Sequence, residues 1–351
     1  MAQRQALPPM PQGFAPDGVP PPLVDERGRR YTYLRLSVTD RCDLRCRYCM
    51  PPGGETEHGV RKELLSFEEA ARVVRVFAEA GIQRVRFTGG EPLVRKDMVR
   101  LVDLIHRQTG IDDLVMTTNA TRLATLARPL RDAGLSGVNV SIDSLRPERF
   151  AEITRGGDLG AVRAGIHAAL DAGLEVKLNA VALGGINDDE LGALVDWAWS
   201  IGATPRFIEL MPLGEGAKLP RATFLGVDEV VARLGHRVRA TAARRPVEGK
   251  GPARYLDAAD GSPRRVGFIT AVSDEFCGTC NRVRITAMGD IRACLASRKA
   301  VSLRDLMRAG ASDLELAWAL HWSLLGKEPG HFFLDPSVAE HEHVGMSLIG
   351  G

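Results

Sequence analysis

Six short runs rich in β-branched residues alternate with five longer amphipathic runs between residues 33 and 210. The spacing predicts strands over Tyr33–Val38, Arg84–Thr88, Leu114–Thr118, Gly137–Ile142, Glu175–Ala180 and Thr204–Leu210. Between them it predicts helices over Ser66–Ala80, Asp97–Gln108, Thr121–Ala133, Leu159–Ala172 and Asp188–Ser200. Ser66 followed by Glu69 reads as a capping-box start, and Gly81, Gly134, Gly173 and Gly202 stand where helices should stop. Serial βα units build a parallel sheet with helices outside, either an open doubly wound sheet or a barrel.

Polarity within the strands chooses between these. Arg35, Ser37 and Thr39 share one face against Leu34, Leu36 and Val38, and Arg84, Arg86 and Thr88 oppose Val85 and Phe87. Asn139, Ser141 and Asp143 oppose Val138, Val140 and Ile142, while Lys177 and Asn179 oppose Val176 and Leu178. A parallel strand covered by helices on both faces should be apolar throughout. The expected fold is therefore α/β, a partial (βα)6 TIM-like barrel curled round a polar, ligand-filled lumen.

The flanks differ in texture. Residues 1–22 hold seven of the chain's 20 prolines, which reads as a disordered or extended leader with the folded protein beginning near Arg30. Beyond about residue 240, Gly, Pro and Arg accumulate. Short alternating segments there (Arg254–Leu256, Arg265–Ile269, Arg282–Thr286 and Ile291–Cys294) predict antiparallel hairpins, with a turn at Met288-Gly289-Asp290. Helical runs follow near Leu303–Ala309 and Asp313–Leu324. The expected organisation is a leader over 1–30, a barrel over 31–240 and a C-terminal extension over 241–351 that closes the barrel mouth.

Cys42, Cys46 and Cys49 stand as C-x3-C-x2-C, three of the chain's six cysteines within eight residues. Three is the wrong number for a closed site, since structural zinc and electron-transfer clusters usually take four protein ligands. Three cysteinates on a four-iron cluster leave one iron open for chemistry. Cys277, Cys280 and Cys294 repeat the arrangement as C-x2-C-x13-C. Spacing alone also allows a zinc with a nearby histidine as fourth ligand. Arg282 and Arg284 lie between these cysteines on one strand face, suited to bidentate contact with phosphate oxygens. Gly89-Gly90-Glu91-Pro92 follows the second strand, at the edge where parallel α/β folds bind ligands.

Bulk properties exclude some classes. A net charge of +2 and 5% aromatic residues argue against a general nucleic-acid binder. No apolar run approaches membrane-spanning length, and the N-terminus lacks a signal-peptide pattern. Few cysteines in metal-ligand spacing point to a reducing, cytoplasmic setting.

Tyr48 before the third cysteine, followed by GGEP on the next strand, makes the chain resemble the radical S-adenosylmethionine enzymes. LRLSVTDRC, YCMP, RFTGGEPL, TTN, VNVSIDSL, GIND, RFIELMP, FCGTCNRVR and the final SLIGG resemble more narrowly the GTP 3′,8-cyclases, which begin molybdenum cofactor biosynthesis. That resemblance implies two four-iron four-sulfur clusters, one on Cys42, Cys46 and Cys49 and one on Cys277, Cys280 and Cys294. It implies S-adenosylmethionine contacts at Tyr48, Gly90, Ser141 and Met211. It places GTP among Arg35, Arg86, Thr117, Lys177, Arg206, Arg282 and Arg284. Catalytic roles fall to Arg35, Arg282, Arg284 and the terminal Gly350 and Gly351, which reach the cavity. As partners it implies a flavodoxin- or ferredoxin-like electron donor and a downstream cyclic pyranopterin monophosphate synthase, and it is compatible with a homodimer. Arg206 and Met211 fall on opposite faces of a regular strand, so both reach a ligand only if the strand ends or bulges between them. Two departures stand out, Asp43 for an Asn and Ala120 for a Gly.

Overall fold

The computed structural model describes residues 3–54, 59, 61–239, 243–246, 251–295, 299–331 and 346. A two-residue strand, β1 (Gln3–Arg4), precedes the barrel strands β2 (Tyr33–Ser37), β3 (Arg84–Thr88), β4 (Asp113–Thr118), β5 (Gly137–Ser141), β6 (Glu175–Ala182) and β7 (Thr204–Glu209). The C-terminal part adds β8 (Arg245–Pro246), β9 (Arg254–Asp257), β10 (Arg265–Ile269), β11 (Arg282–Ile285), β12 (Asp290–Arg292) and β13 (Lys299–Ser302). Helices are α1 (Phe67–Glu79), α2 (Met98–Thr109), α3 (Leu123–Asp132), α4 (Pro147–Thr154), α5 (Leu159–Asp171), α6 (Leu191–Ser200), α7 (Val227–Leu234), α8 (Leu303–Arg308) and α9 (Asp313–Leu325).

The six expected strands form the parallel run β2-β3-β4-β5-β6-β7. Their apolar faces pack outward on the helices: Leu34, Leu36, Val85, Phe87, Val138 and Val140 are at most 1% exposed and share one core with residues of α1, α2, α3 and α5. The capping box at α1 is complete, with Ser66 Oγ accepting from Glu69 N and Glu69 Oε2 accepting from Ser66 N.

Three features define how the flanks join the barrel. First, among the described residues the C-terminal strands extend the wall at both edges. β11 pairs in parallel with β2 and β10 in parallel with β7, while β12 and β9 add to these antiparallel. A six-stranded arc leaves two edges with unpaired backbone groups, and β11 and β10 satisfy them. Second, α8 and α9 pack outside the arc beside α1, where Arg72 and Arg75 pair with Asp313 and Arg308 with Glu69. Third, the leader is extended but not disordered. β1 pairs with β13, Trp318 Nε1 donates to Pro8 O, and the Phe14 ring lies edge-on to Trp318 and His321. Leu23 is 1% exposed, so the folded structure begins well before Arg30.

Candidate active site

The loop after β2 carries the first cysteine triad and is pinned from two sides. Arg45 N and Arg47 N donate to the last carbonyls of α4, at Thr154 and Ile153, and Arg155 Nη1 donates to Met50 O at 2.7 Å. On the other side Asp43 accepts from Asn119 Nδ2 at 2.7 Å, Thr121 Oγ1 at 3.0 Å and Arg122 Nε at 3.2 Å. Asp43 thus ties the cysteine loop to the TTN loop through an ion pair with Arg122. Within the loop, Cys49 N and Met50 N both donate to Cys46 O.

Burial pushes the Cys42 thiol up to about 12 and holds Cys46 well above its ordinary value, with the neighbouring cysteines and carboxylates adding to the rise. All six cysteines are free of disulfides. Such half-buried thiols facing one cavity would repel one another as thiolates unless a cation joins them, and this donor set fits an iron–sulfur cluster.

Gly89 and Gly90 cross directly beneath this loop. Gly90 N donates to Thr39 O at 3.0 Å and Glu91 N to Arg41 O at 2.8 Å. A β-carbon at Gly89 or Gly90 would run into the Thr39 or Arg41 carbonyl oxygen, so the approach requires glycine. Opposite, the Tyr48 hydroxyl donates to Asp143 Oδ2 at 2.8 Å, and Asp143 Oδ1 accepts from Val181 N. Burial raises Asp143 to about 6 despite both bonds.

The lumen wall is cationic. Arg284, Arg35 and Arg86 sit in register across β11, β2 and β3, so their side chains share one rung on one face. Arg282 lies on the next rung, and Arg206 comes from β7 across the arc. Arg35 is held well below its ordinary value by burial and by Arg284 and Arg86; burial brings Arg284 and Arg86 each to about 10, with Arg282 lowering the former and Arg206 the latter. These values leave Arg284 and Arg86 charged at neutral pH. Arg206 Nε donates to Asn179 Oδ1 at 2.9 Å, yet Arg206 Nη2 and Arg86 Nε are buried without a hydrogen-bond partner among the described residues. Buried donors of this kind call for an anion.

The second triad meets the same cavity from the opposite side. Cys277 and Cys280 flank a turn before β11, and Cys294 follows β12. Burial opposes ionisation of Cys280, but Arg282 and Lys327 beside it bring the thiol down to about 6. Arg282 Nη2 donates to Cys280 Sγ at 3.4 Å and its guanidinium lies over the Phe276 ring.

One cavity is lined by all six cysteines together with Tyr48, Gly90, Ser141, Met211, Thr117, Arg35, Arg86, Arg206, Arg282 and Arg284. β7 ends at Glu209, before Met211, which lets Arg206 and Met211 face the same space. Lys177 does not join them: its ammonium is tied to Glu175 Oε2 at 2.6 Å outside the lining. Gly350 and Gly351 lie outside the described residues. His321 Nε2 bonds Pro21 O, whereas His331 reaches the cavity beside Cys277 and Glu275. Sequence reasoning missed Asn179 as the partner of Arg206, Phe276 under Arg282 and Lys327 on Cys280. Only Asn179 had a signal, its place on the polar face of β6.

A parallel arc with three cysteines after its first barrel strand and a Gly-Gly crossing after the second defines the radical S-adenosylmethionine class. The Radical SAM superfamily model matches residues 36–198, and the Molybdenum Cofactor Synthesis C model matches residues 203–333. A GTP 3′,8-cyclase of Heliobacterium modesticaldum is 45% identical over 94% of this chain and 100% of its own length. Those of Brucella canis and Syntrophomonas wolfei are 43% and 40% identical, over 96% and 100% of their lengths. The chain belongs to the GTP 3′,8-cyclase family. Streptococcus suis SuiB bound to S-adenosylmethionine shares the fold, with a TM-score of 0.60 at 15% identity over 82% of this chain and 65% of that one.

Proposed function

We propose that this chain converts GTP to 3′,8-cyclo-7,8-dihydroguanosine triphosphate, the first step of molybdenum cofactor biosynthesis. The observation that carries the reading is the set of five arginines, Arg86, Arg206 and Arg282 buried and Arg35 and Arg284 half-buried, facing one cavity between two three-cysteine sites. A triphosphate is the anion such a wall fits, because planar guanidinium forks pair with phosphate oxygens in bidentate fashion.

Cys42, Cys46 and Cys49 hold one four-iron cluster, and Tyr48, Gly90, Ser141 and Met211 contact S-adenosylmethionine beside it. When bound, these groups supply the 5′-deoxyadenosyl radical chemistry that removes the ribose 3′ hydrogen. Cys277, Cys280 and Cys294 hold the second cluster, at the guanine end of the substrate. Arg35, Arg86, Arg206, Arg282 and Arg284 neutralise and orient the triphosphate, with Thr117 at the wall beside Arg86 Nη1. Their fixed positions bring C3′ and guanine C8 within bonding reach, an orientation effect rather than proton transfer. Gly350 and Gly351, which lie outside the described residues, take a catalytic role in this proposal. A flavodoxin- or ferredoxin-like protein supplies electrons, cyclic pyranopterin monophosphate synthase takes the product, and the setting is cytoplasmic. No described helix is long and apolar enough to cross a membrane.

The test is anaerobic turnover of the reconstituted chain with dithionite, S-adenosylmethionine and GTP deuterated at the ribose 3′ position. Deuterium is expected in the 5′-deoxyadenosine formed, and its absence there overturns the assigned abstraction. Removing Gly350 and Gly351 is expected to stop cyclisation with both clusters still assembled.

A further inference from the structure

Behind the second triad, one buried cation is not used by the reaction as described. Lys327 follows α9 and is 8% exposed. Its ammonium donates to Cys280 Sγ at 3.3 Å and to Arg282 O at 3.1 Å, and lies 4.6 Å from the centre of the Tyr31 ring. The residues just before the barrel hold it there. Arg29 Nη2 donates to Lys327 O at 2.9 Å, both Arg29 Nη atoms reach Glu328 O at 3.1 Å, and Nη1 also reaches Cys277 O at 3.2 Å.

Asp25 anchors this frame in turn. It accepts from Arg29 Nε at 2.5 Å, from Tyr31 Oη at 2.7 Å and from the backbone N–H groups of Arg27 and Arg29. Asp25, Arg29 and Tyr31 are each at most 6% exposed. This segment precedes residue 36, where the first family model begins, and Lys327 lies almost 300 residues later. The fold brings both to the back of one thiol. The first triad has the opposite surroundings, with Asp43, Glu91 and Asp143 acting on its cysteines.

Hydrogen bonds to cluster sulfurs and the local charge set a cluster's reduction potential, and both favour the more negative, reduced form when the donor is a cation. Resting on the reading that Cys277, Cys280 and Cys294 hold a cluster, we infer that Lys327 is a positioning residue that raises the reduction potential of that cluster. Asp25, Arg29 and Tyr31 form the frame that keeps its ammonium on Cys280 Sγ. Among the described residues its hydrogen bonds go to Cys280 Sγ and Arg282 O and to no cysteine of the first triad.

The test is a redox titration, followed by electron paramagnetic resonance, of the full reconstituted chain and its Lys327→Gln and Lys327→Arg variants. A Cys277→Ala variant identifies the second cluster's signal. Lys327→Gln keeps a donor for Cys280 Sγ and removes the charge. Its second cluster is expected to titrate at a more negative potential, with the first unchanged and Lys327→Arg close to the parent chain. Loss of the second signal in Lys327→Gln but not in Lys327→Arg, with iron and sulfide content unchanged, also supports the inference, the potential then lying below the range of the titration; loss with the cluster's iron and sulfide gone overturns it in favour of a role in assembly. An unshifted midpoint in Lys327→Gln overturns it alone, and so does an equal shift or equal loss in both variants. If the parent chain has no signal that Cys277→Ala removes, the cluster assignment fails and the inference with it.

Discussion

Glu91 carries its carboxylate into a fully enclosed position at the end of β3, where Leu93 N, Thr118 Oγ1 and Asn119 N all donate to it. Burial outweighs these bonds and raises the group from 4.5 to about 7. Since the folded value lies above the unfolded one, the protonated form is favoured by folding. That contribution is complete below about pH 4.5 and is lost as the pH rises through about 7. The shift is on the order of 3 kcal/mol at about 1.4 kcal/mol per unit. Urea denaturation of the metal-free chain should therefore show stability falling over this range, and Glu91→Gln should clearly reduce the slope. Asp143, raised from 3.8 to about 6, leaves a slope of the same sign and comparable size below about pH 6. A variant with the parent's full slope rules out Glu91 as its source. A second contrast separates two cations the sequence ranks alike. Arg206 lines the cavity and has a buried Nη2 without a hydrogen-bond partner among the described residues, while Lys177 is satisfied by Glu175. Arg206→Met should weaken GTP binding by roughly 10–100-fold, the scale of a charged hydrogen bond at about 1.5–3 kcal/mol. Lys177→Met should cost clearly less, as equilibrium binding of GTP to each variant would measure; equal losses would contradict the contrast.

Helix α5 packs on α3 so closely that Gly165 has no room for a β-carbon: one would meet the Ala120 carbonyl oxygen and the Leu123 side chain. Ala120 itself sits at φ 62°, in the left-handed region. Gly165→Ala should gain about 1 kcal/mol of helix propensity and lose more to overpacking, typically about 1–3 kcal/mol. A lowered thermal midpoint is expected; a raised one would show that α5 can move off α3. Packing of this kind is not legible from a helical repeat, whereas the elements themselves largely are. The six barrel strands fall within two residues of their expected limits because each is a short alternating run bounded by turn residues. Helix α4 was missed because eight residues give two turns, too few for a periodic signal, yet its last carbonyls hold the cysteine loop. The ordering of the leader is hidden from the sequence for a related reason. Proline-rich composition shows no period, and the surface that orders it, Trp318 and His321, lies some 300 residues away in sequence.

At the scale of the whole molecule, the cavity is where the two ends of the chain are joined. Arg282 and Arg284 belong to the C-terminal part, Arg35, Arg86 and Arg206 to the barrel, and β11 meets β2 along the rung that holds Arg284 and Arg35. The strand pairing stabilises this seam, while the like charges placed side by side oppose it. An anion seated among them removes the opposing effect and contacts both parts at once. Binding to the folded state alone stabilises it by RT ln(1 + [L]/Kd), about 2.7 kcal/mol at one hundred times Kd. Inorganic tripolyphosphate, with no base or ribose, should therefore raise the thermal midpoint of the cluster-free chain by several degrees, on the order of 2 °C or more per kcal/mol. The shift should shrink as salt rises, though less than for surface pairs, because these cations are buried or half-buried. Guanosine, which lacks the phosphates, should give little shift. Arg284→Met should reduce the tripolyphosphate shift even if the variant alone is no less stable, since it removes a repelling neighbour of Arg35 together with a ligand contact. An undiminished shift in that variant would place the anion elsewhere and detach the triphosphate from the rung.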